Sequence, residues 1–280
     1  MDRTQPNGLG QPPEDAVRRL CAVMRCRILE QSLESQVGHI GSALSIVEIM
    51  AVLWARILRH PATRDPDRDR FILAKGHAAL ALYTVMHGLG LLDDDALHTY
   101  CKDGSSLGAH PERGLAGVEV TTGSLGQGLS VGCGLAHALR SRRSPARVFV
   151  VISDAECNEG QVWEAVMFAA HNGLDNLIVV VDVNGMQAMG RTEEILDLSP
   201  LGPRWRAFGW HDQEVDGHDA ESLYAALTTG LEQRRGPAVV LAHTVAGKGV
   251  SFMEHQLIWH YRNITPQLAR RAVYEIGGCA

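Results

Sequence analysis

Asp154 and Asn184 are the residues whose type and placement most suggest chemistry. Each stands just past the end of an apolar run, Val148 to Ile152 before the first and Leu177 to Val181 before the second. Between the runs Trp163, Val166, Met167 and Ala170 recur at helical spacing. The stretch from Val148 to Met186 therefore reads as strand, helix, strand, and a crossover of that length makes the two strands parallel. In open parallel sheets ligands bind beyond the carboxyl ends of the strands, so the two side chains are expected at one crevice. A carboxylate and an amide oxygen are hard ligands, suited to Mg2+ or Ca2+ rather than zinc. Mg2+ also keeps positions open for phosphate oxygens. A plainer reading stays open: Asp154 as a helix cap and Asn184-Gly185 as a turn.

The elements that must position these residues follow from periodicity. A helix is predicted from Glu14, with Val17, Leu20, Cys21, Met24 and Ile28 on one face, ending before Gly38. Ser42 is predicted to cap the next helix, which runs to about Leu58. Phe71 to Ala74 reads as a buried strand with Lys75-Gly76-His77 at its end, followed by a helix from Ala78 to about Gly88. A further helix is predicted over 91–102, and Ser124 is expected to cap one that follows it. Glycines 123, 126, 128, 132 and 134 suggest close approach, by a ligand near 123–125 and by a facing helix farther along. Trp205 to Phe208 reads as a short helix stopped by Gly209, and Asp219 as the cap of a helix through Leu223 and Leu227. Ala238 to Ala242 is the last clear strand, with Gly247-Lys248-Gly249 past its end, and 265–277 forms a terminal helix or tail. Strands near 71, 148, 177, 212 and 238 alternating with helices predict an α/β fold, a doubly wound parallel sheet with helices on both faces.

Composition excludes several classes. With 45% hydrophobic and 21% charged residues in 280, the chain reads as a globular protein. A formal net charge of −6 leaves no basic footprint for nucleic acid. No apolar run reaches membrane-spanning length and no signal peptide is evident. Residues 1–13 are expected to form a disordered tail and 14–280 a single domain. The six cysteines lack metal-ligand spacing and are expected to be reduced core thiols of a cytoplasmic protein.

Ser153-Asp154-Ala155 with Asn184 thirty residues on resembles the Gly-Asp-Gly…Asn diphosphate-and-metal motif of thiamine diphosphate enzymes. Other segments resemble transketolase, in that family's order. They include Gly38-His39-Ile40-Gly41, Asn158-Glu159-Gly160-Gln161-Val162-Trp163-Glu164-Ala165 and Asn184-Gly185-Met186-Gln187. Trp205-Arg206-Ala207-Phe208-Gly209-Trp210 and Val215-Asp216-Gly217-His218-Asp219 continue the likeness, which runs from about residue 15 to 262. It implies that His39, His77, His110 and His260 line the active site, with His77 and His260 on the cofactor side. It places Gly123, Ser124, Leu125, Asp154, Ala155 and Asn184 against thiamine diphosphate. It makes Asp154, Asn184 and the Met186 carbonyl the ligands of Mg2+ or Ca2+. Glu159 would help hold the aminopyrimidine across a subunit contact, and Lys248 is a candidate for positive charge at the crevice.

The chain departs from the family at Ser124, where Pro is usual, and at Ser153 and Ala155, which replace two glycines. If the backbone at Ala155 is left-handed, its methyl costs of order 1 kcal/mol. The pyrimidine-binding domain and the third domain of transketolases have no counterpart in this sequence. The resemblance therefore implies a split enzyme: a heterotetramer, α2β2, with a C-terminal transketolase subunit supplying both and with a homodimeric contact. Its reaction would be ketol transfer from a sugar or sugar phosphate. Two alternatives stay open: the α-type half of a 2-oxoacid decarboxylase or dehydrogenase, and a non-catalytic scaffold subunit.

Overall fold

The computed structural model describes residues 13–233 and 235–279. Of the expected tail, residues 1–12 lie outside the described residues. The chain begins with α1 (Glu14–Ser35), α2 (Ile40–Ser45) and α3 (Val47–Val52), then β1 (Arg70–Leu73), α4 (Ala79–Gly88) and α5 (Asp94–Leu97). It continues with α6 (Gln127–Ser141), β2 (Val148–Ser153), α7 (Gly160–His171), β3 (Leu177–Val183) and a small hairpin, β4 (Met186–Gln187) and β5 (Gly190–Arg191). There follow α8 (Thr192–Leu196), α9 (Leu201–Ala207), β6 (His211–Asp216), α10 (Ala220–Glu232), β7 (Ala238–His243) and α11 (Pro266–Glu275).

Five strands form one parallel sheet in the order β1-β2-β3-β7-β6. Their side chains alternate between faces, as the period of two requires. Phe71, Phe149, Val151, Ile178 and Val180 pack under α1 to α4 and α10. Ile72, Val150, Ile152, Val179 and Val181 pack against the layer of α6, α7 and α9. Burial on both faces is why β1, β2, β3 and β7 read as unbroken apolar runs, whereas the edge strand β6 is polar and largely exposed. The doubly wound sheet is thus present, and all five expected strands are in it.

Several local expectations are corrected. The helix predicted from Ser42 to Leu58 starts at Ile40, with His39 at its N-cap in a left-handed conformation, so Ser42 lies inside it. The helix breaks at Ile46, resumes as α3 and ends in a π turn, Leu53–Ile57. Nearly every residue of the stretch is buried, so tertiary packing overrides the even helical pattern. The helix expected over 91–102 is only α5, whose start is set by Asp93 accepting from the Ala96 N–H at 2.7 Å. Gly126, not Ser124, precedes α6. Gly128 and Gly132 admit the sheet rather than a facing helix: a Cβ at either would meet Ala74 or Val150 at 2.4 or 2.6 Å. Cys26 and Cys279 are joined as a disulfide, against the expectation of six reduced thiols, because α11 returns the C-terminus to α1; Cys21, Cys101, Cys133 and Cys157 are free.

Candidate active site

Four histidines from four separate segments meet above the strand ends. The ring centres of His39 and His260 lie 5.0 Å apart, His77 and His260 5.3 Å, His39 and His77 5.4 Å, and His39 and His110 6.3 Å. The left-handed backbone of His39 (φ 69°) lets its N–H donate to the His260 carbonyl at 3.1 Å, fastening two of the segments together. His77 sits in a 3-10 turn directly after β1. His110 is braced by Tyr83, whose hydroxyl donates to the Gly108 and His110 carbonyls at 3.1 and 3.3 Å. Gly123 (φ 142°) lies against the His110 ring, and a Cβ there would come within 2.9 Å of it.

His39, His77 and His260 are biased toward the uncharged form. Burial, then the neighbouring His110, lowers His39; burial, then the Lys75 charge, takes His77 well below the ordinary histidine value. Burial, with His39 and Lys75 nearby, brings His260 down to about 4. A neutral imidazole offers one donor and one acceptor, which suits hydroxyl binding and proton relay. His39 Nδ1 is buried with no hydrogen-bond partner among the described residues. An orphaned buried nitrogen costs roughly 1–3 kcal/mol, and at the histidine cluster it is available to pair with a ligand atom.

Asp154 and Asn184 lie at the same edge of the sheet, after the adjacent strands β2 and β3. Asp154 accepts from the Ala155 N–H at 2.9 Å, from the Gly185 N–H at 2.8 Å and from the Thr192 hydroxyl at 3.2 Å. The two loops are therefore tied to each other, as the parallel crossover requires. Among the described residues no lysine or arginine pairs with this buried carboxylate. Burial, then the Asp182 charge, pushes it up to about 6. A buried carboxylate without a cation fits a divalent ion. Asn184 Oδ1 accepts from the Met186 N–H at 2.9 Å and keeps a second lone pair. Among the described residues no three His, Cys, Asp or Glu side chains gather as a metal cage. The oxygen donors on hand, one carboxylate, one amide and the Met186 carbonyl, suit Mg2+ completed by phosphate. One cleft joins Asn184 and Met186 to His260, Gly41 and Trp259.

The other expected residues are placed as follows. Leu125 is held by Gln161, whose side-chain amide donates to its carbonyl at 2.9 Å, and Ser124 is exposed. Glu159 is exposed at the N-cap of α7. Ala155 begins a 3-10 helix and is not among the left-handed residues, so the backbone strain expected there is absent. Lys248 is not brought to the histidines. It lines a cavity of about 560 Å3 with Glu14, Arg18 and Glu275 near α1 and α11, and its carbonyl accepts from Arg25 at 3.4 Å. The cation beside the histidines is Lys75.

Two features were missed in the sequence. Ser153 and Glu156 form a capping box: Ser153 Oγ accepts from the Glu156 N–H at 3.2 Å, and Glu156 accepts from the Ser153 N–H at 3.0 Å. Glu156 also accepts from the Gly126 N–H at 3.0 Å, linking the glycine loop to β2, and burial pushes its carboxyl up to about 6. The Ser-x-x-Glu spacing was the available signal. The second is a buried cluster on Asp182, which accepts from Lys75, Ser45, Thr244 and Asn184. Its signal was an acid inside an apolar strand.

A parallel sheet with an Asp–Asn pair at its carboxyl edge, beside a cluster of histidines, is the architecture of a thiamine diphosphate binding domain. Residues 17–260 match the family described as transketolase, thiamine diphosphate binding domain, and the chain belongs to it. It is 39% identical to the 6-deoxy-6-sulfo-D-fructose transketolase subunit SqwG of Clostridium sp. (strain MSTE9), over 91% of this chain and 94% of that one. It is 35% identical to an apulose-4-phosphate transketolase subunit of Phocaeicola vulgatus, over 90% of each chain. Among solved structures, transketolase from Leishmania mexicana superposes with a TM-score of 0.86 at 28% identity, over 94% of this chain but 41% of that one. The chain thus spans about two fifths of a single-chain transketolase and nearly the whole of the separate subunits.

Proposed function

We propose that this chain is the diphosphate-binding subunit of a two-component transketolase. It moves a two-carbon ketol unit from a ketose or ketose phosphate to an aldehyde acceptor, using thiamine diphosphate and Mg2+ or Ca2+. The observation that carries this reading is the meeting of His39, His77, His110 and His260 beside Asn184 and Met186. Bound there, thiamine diphosphate supplies the nucleophilic carbon and the electron sink. Asp154, Asn184 and the Met186 carbonyl would hold the metal, and His77 a phosphate oxygen. His39, His110 and His260 bind substrate hydroxyls and pass protons between them, as imidazoles can.

A C-terminal transketolase subunit would supply the pyrimidine-binding and C-terminal domains in an α2β2 assembly. Exposed apolar side chains on α6 and α7 support such a partner: Met167 is 49% exposed, Phe168 45% and Val131 37%. Among the described residues no helix is long and apolar enough to cross a membrane. A cytoplasmic location belongs to the proposal and is checked by cell fractionation.

The test is ketol transfer by the purified chain, alone and co-expressed with the chain encoded by the neighbouring reading frame. Activity is expected only in the pair. Turnover by the single chain would refute the two-component reading. Calorimetry with thiamine diphosphate and Mg2+ accompanies it, and absence of binding by the pair would favour the scaffold.

A further inference from the structure

Asn184 can serve a metal only through its oxygen, yet its side chain presents an oxygen and an NH2 of nearly equal size. Something must hold it the right way round. In this structure Nδ2 donates to Asp182 Oδ2 at 2.8 Å and to Ser45 Oγ at 3.3 Å, while Oδ1 accepts from the Met186 N–H. The assignment follows from chemistry: an ionised carboxylate only accepts, and a backbone N–H only donates.

Asp182 is itself paired and held still. Lys75 Nζ forms a salt bridge with it, the Lys75 side chain being 1% exposed and that of Asp182 0%. Ser45 Oγ donates to both its oxygens, at 2.7 and 2.9 Å, and Thr244 Oγ1 donates to Oδ1. The donors come from α2, from the end of β1 and from the residue after β7, so three neighbouring elements converge on one side chain in β3. Resting on the functional reading above, we infer that Asp182 is the positioning residue for the metal ligand. Its carboxylate pins the Asn184 amide with the oxygen toward the ion, and Lys75 balances the charge that this requires.

The inference is tested with Mn2+ as the probe, titrated by water-proton relaxation in the presence of thiamine diphosphate on the assembled two-chain enzyme, without substrate. Asp182→Asn alone would leave Lys75 buried and unpaired, so the informative variant is Lys75→Met with Asp182→Asn. Removing both charges tends to spare folding. The amide placed at position 182 can turn either end toward Asn184, and Mn2+ affinity is expected to fall about 10- to 100-fold with the unfolding midpoint retained. Adding Asn184→Asp to that background should restore most of the affinity, because the amide NH2 at position 182 then donates to the new carboxylate. The same Asn184→Asp substitution in the parent sets two carboxylates side by side and should weaken binding. A merely structural role predicts no such reversal between backgrounds. Undiminished affinity in the double variant, or no recovery in the triple, overturns the inference while leaving the functional reading intact. A parent complex that binds no Mn2+ overturns both.

Discussion

The two halves of the site are finished to different degrees. Around Asp182 every donor has found its acceptor: Lys75, Ser45, Thr244 and Asn184 all point at one carboxylate. Around His39 the opposite holds, with a buried ring nitrogen left without a partner and rings that touch mainly one another. Saturated polar clusters are rigid, because any rearrangement strands a buried charge. The four histidines are only partly buried, so their rings remain accessible to a ligand. Under the proposed function the contrast fits a division of labour, in which the half that would face the metal is built in advance and the half that would face substrate is completed by what binds.

The contrast can be broken most forcefully from the saturated side. Asp182→Ala leaves Lys75 charged and alone in the core, and is expected to cost about 3–5 kcal/mol of stability, read by denaturant unfolding. A loss below about 1 kcal/mol would mean the cluster is not tightly coupled. From the open side the response should move to turnover. His39→Asn keeps a side chain that tolerates a left-handed backbone, so stability should change by less than about 1 kcal/mol. Yet kcat of the two-chain enzyme should fall at least ~100-fold. An equal loss of stability in both variants would erase the distinction.

Acid sharpens it further. His260 titrates near 4 in the fold against 6.5 ordinarily, and His77 lies well below that value too. Between those limits these two imidazoles bind more protons in the unfolded chain than in the fold, so their contribution to stability falls as pH drops from 6.5 toward 4 and is constant above 6.5; Asp154 and Glu156, raised to about 6, act in the opposite direction. The check is the midpoint of thermal unfolding against pH in parent and His260→Gln: as pH falls from 6.5 to 4 the midpoint of the variant should rise relative to that of the parent. The smallest effect is expected at Ala155. Since its backbone is not left-handed, Ala155→Gly relieves no strain and should change stability by no more than about 1 kcal/mol. Calorimetry should find thiamine diphosphate affinity unchanged; marked tightening would instead show that the methyl crowds the cofactor.

Much of the frame could be read from the chain. Four of the five strands were legible as short apolar runs such as Val148 to Ile152, buried on both faces and bounded by polar or turn residues; the edge strand β6 is polar and was legible only from its place in the alternation of strands and helices. The four histidines and the Asp154–Asn184 pair were legible only with the family likeness, since each alone reads as a loop residue or a cap. Periodicity misled at Ser42 and over 91–102, where a helical pattern continues past the point at which packing stops the helix. Lys248 was misplaced because a position past a strand end does not say which way the following loop carries a side chain.

Taken by itself, then, the sequence determined which segments are strands, that they run parallel, and so at which edge of the sheet the polar residues gather. Those are consequences of local period and of crossover length, which neighbouring residues carry with them. Only the tertiary structure decided that Lys75 meets Asp182 across 107 positions, that Glu156 reaches the Gly126 loop, and that Cys26 meets Cys279. Such contacts depend on the order in which strands sit in the sheet and on how helices pack over it. Pairing of that kind is set by the burial of the whole molecule, which no local window contains.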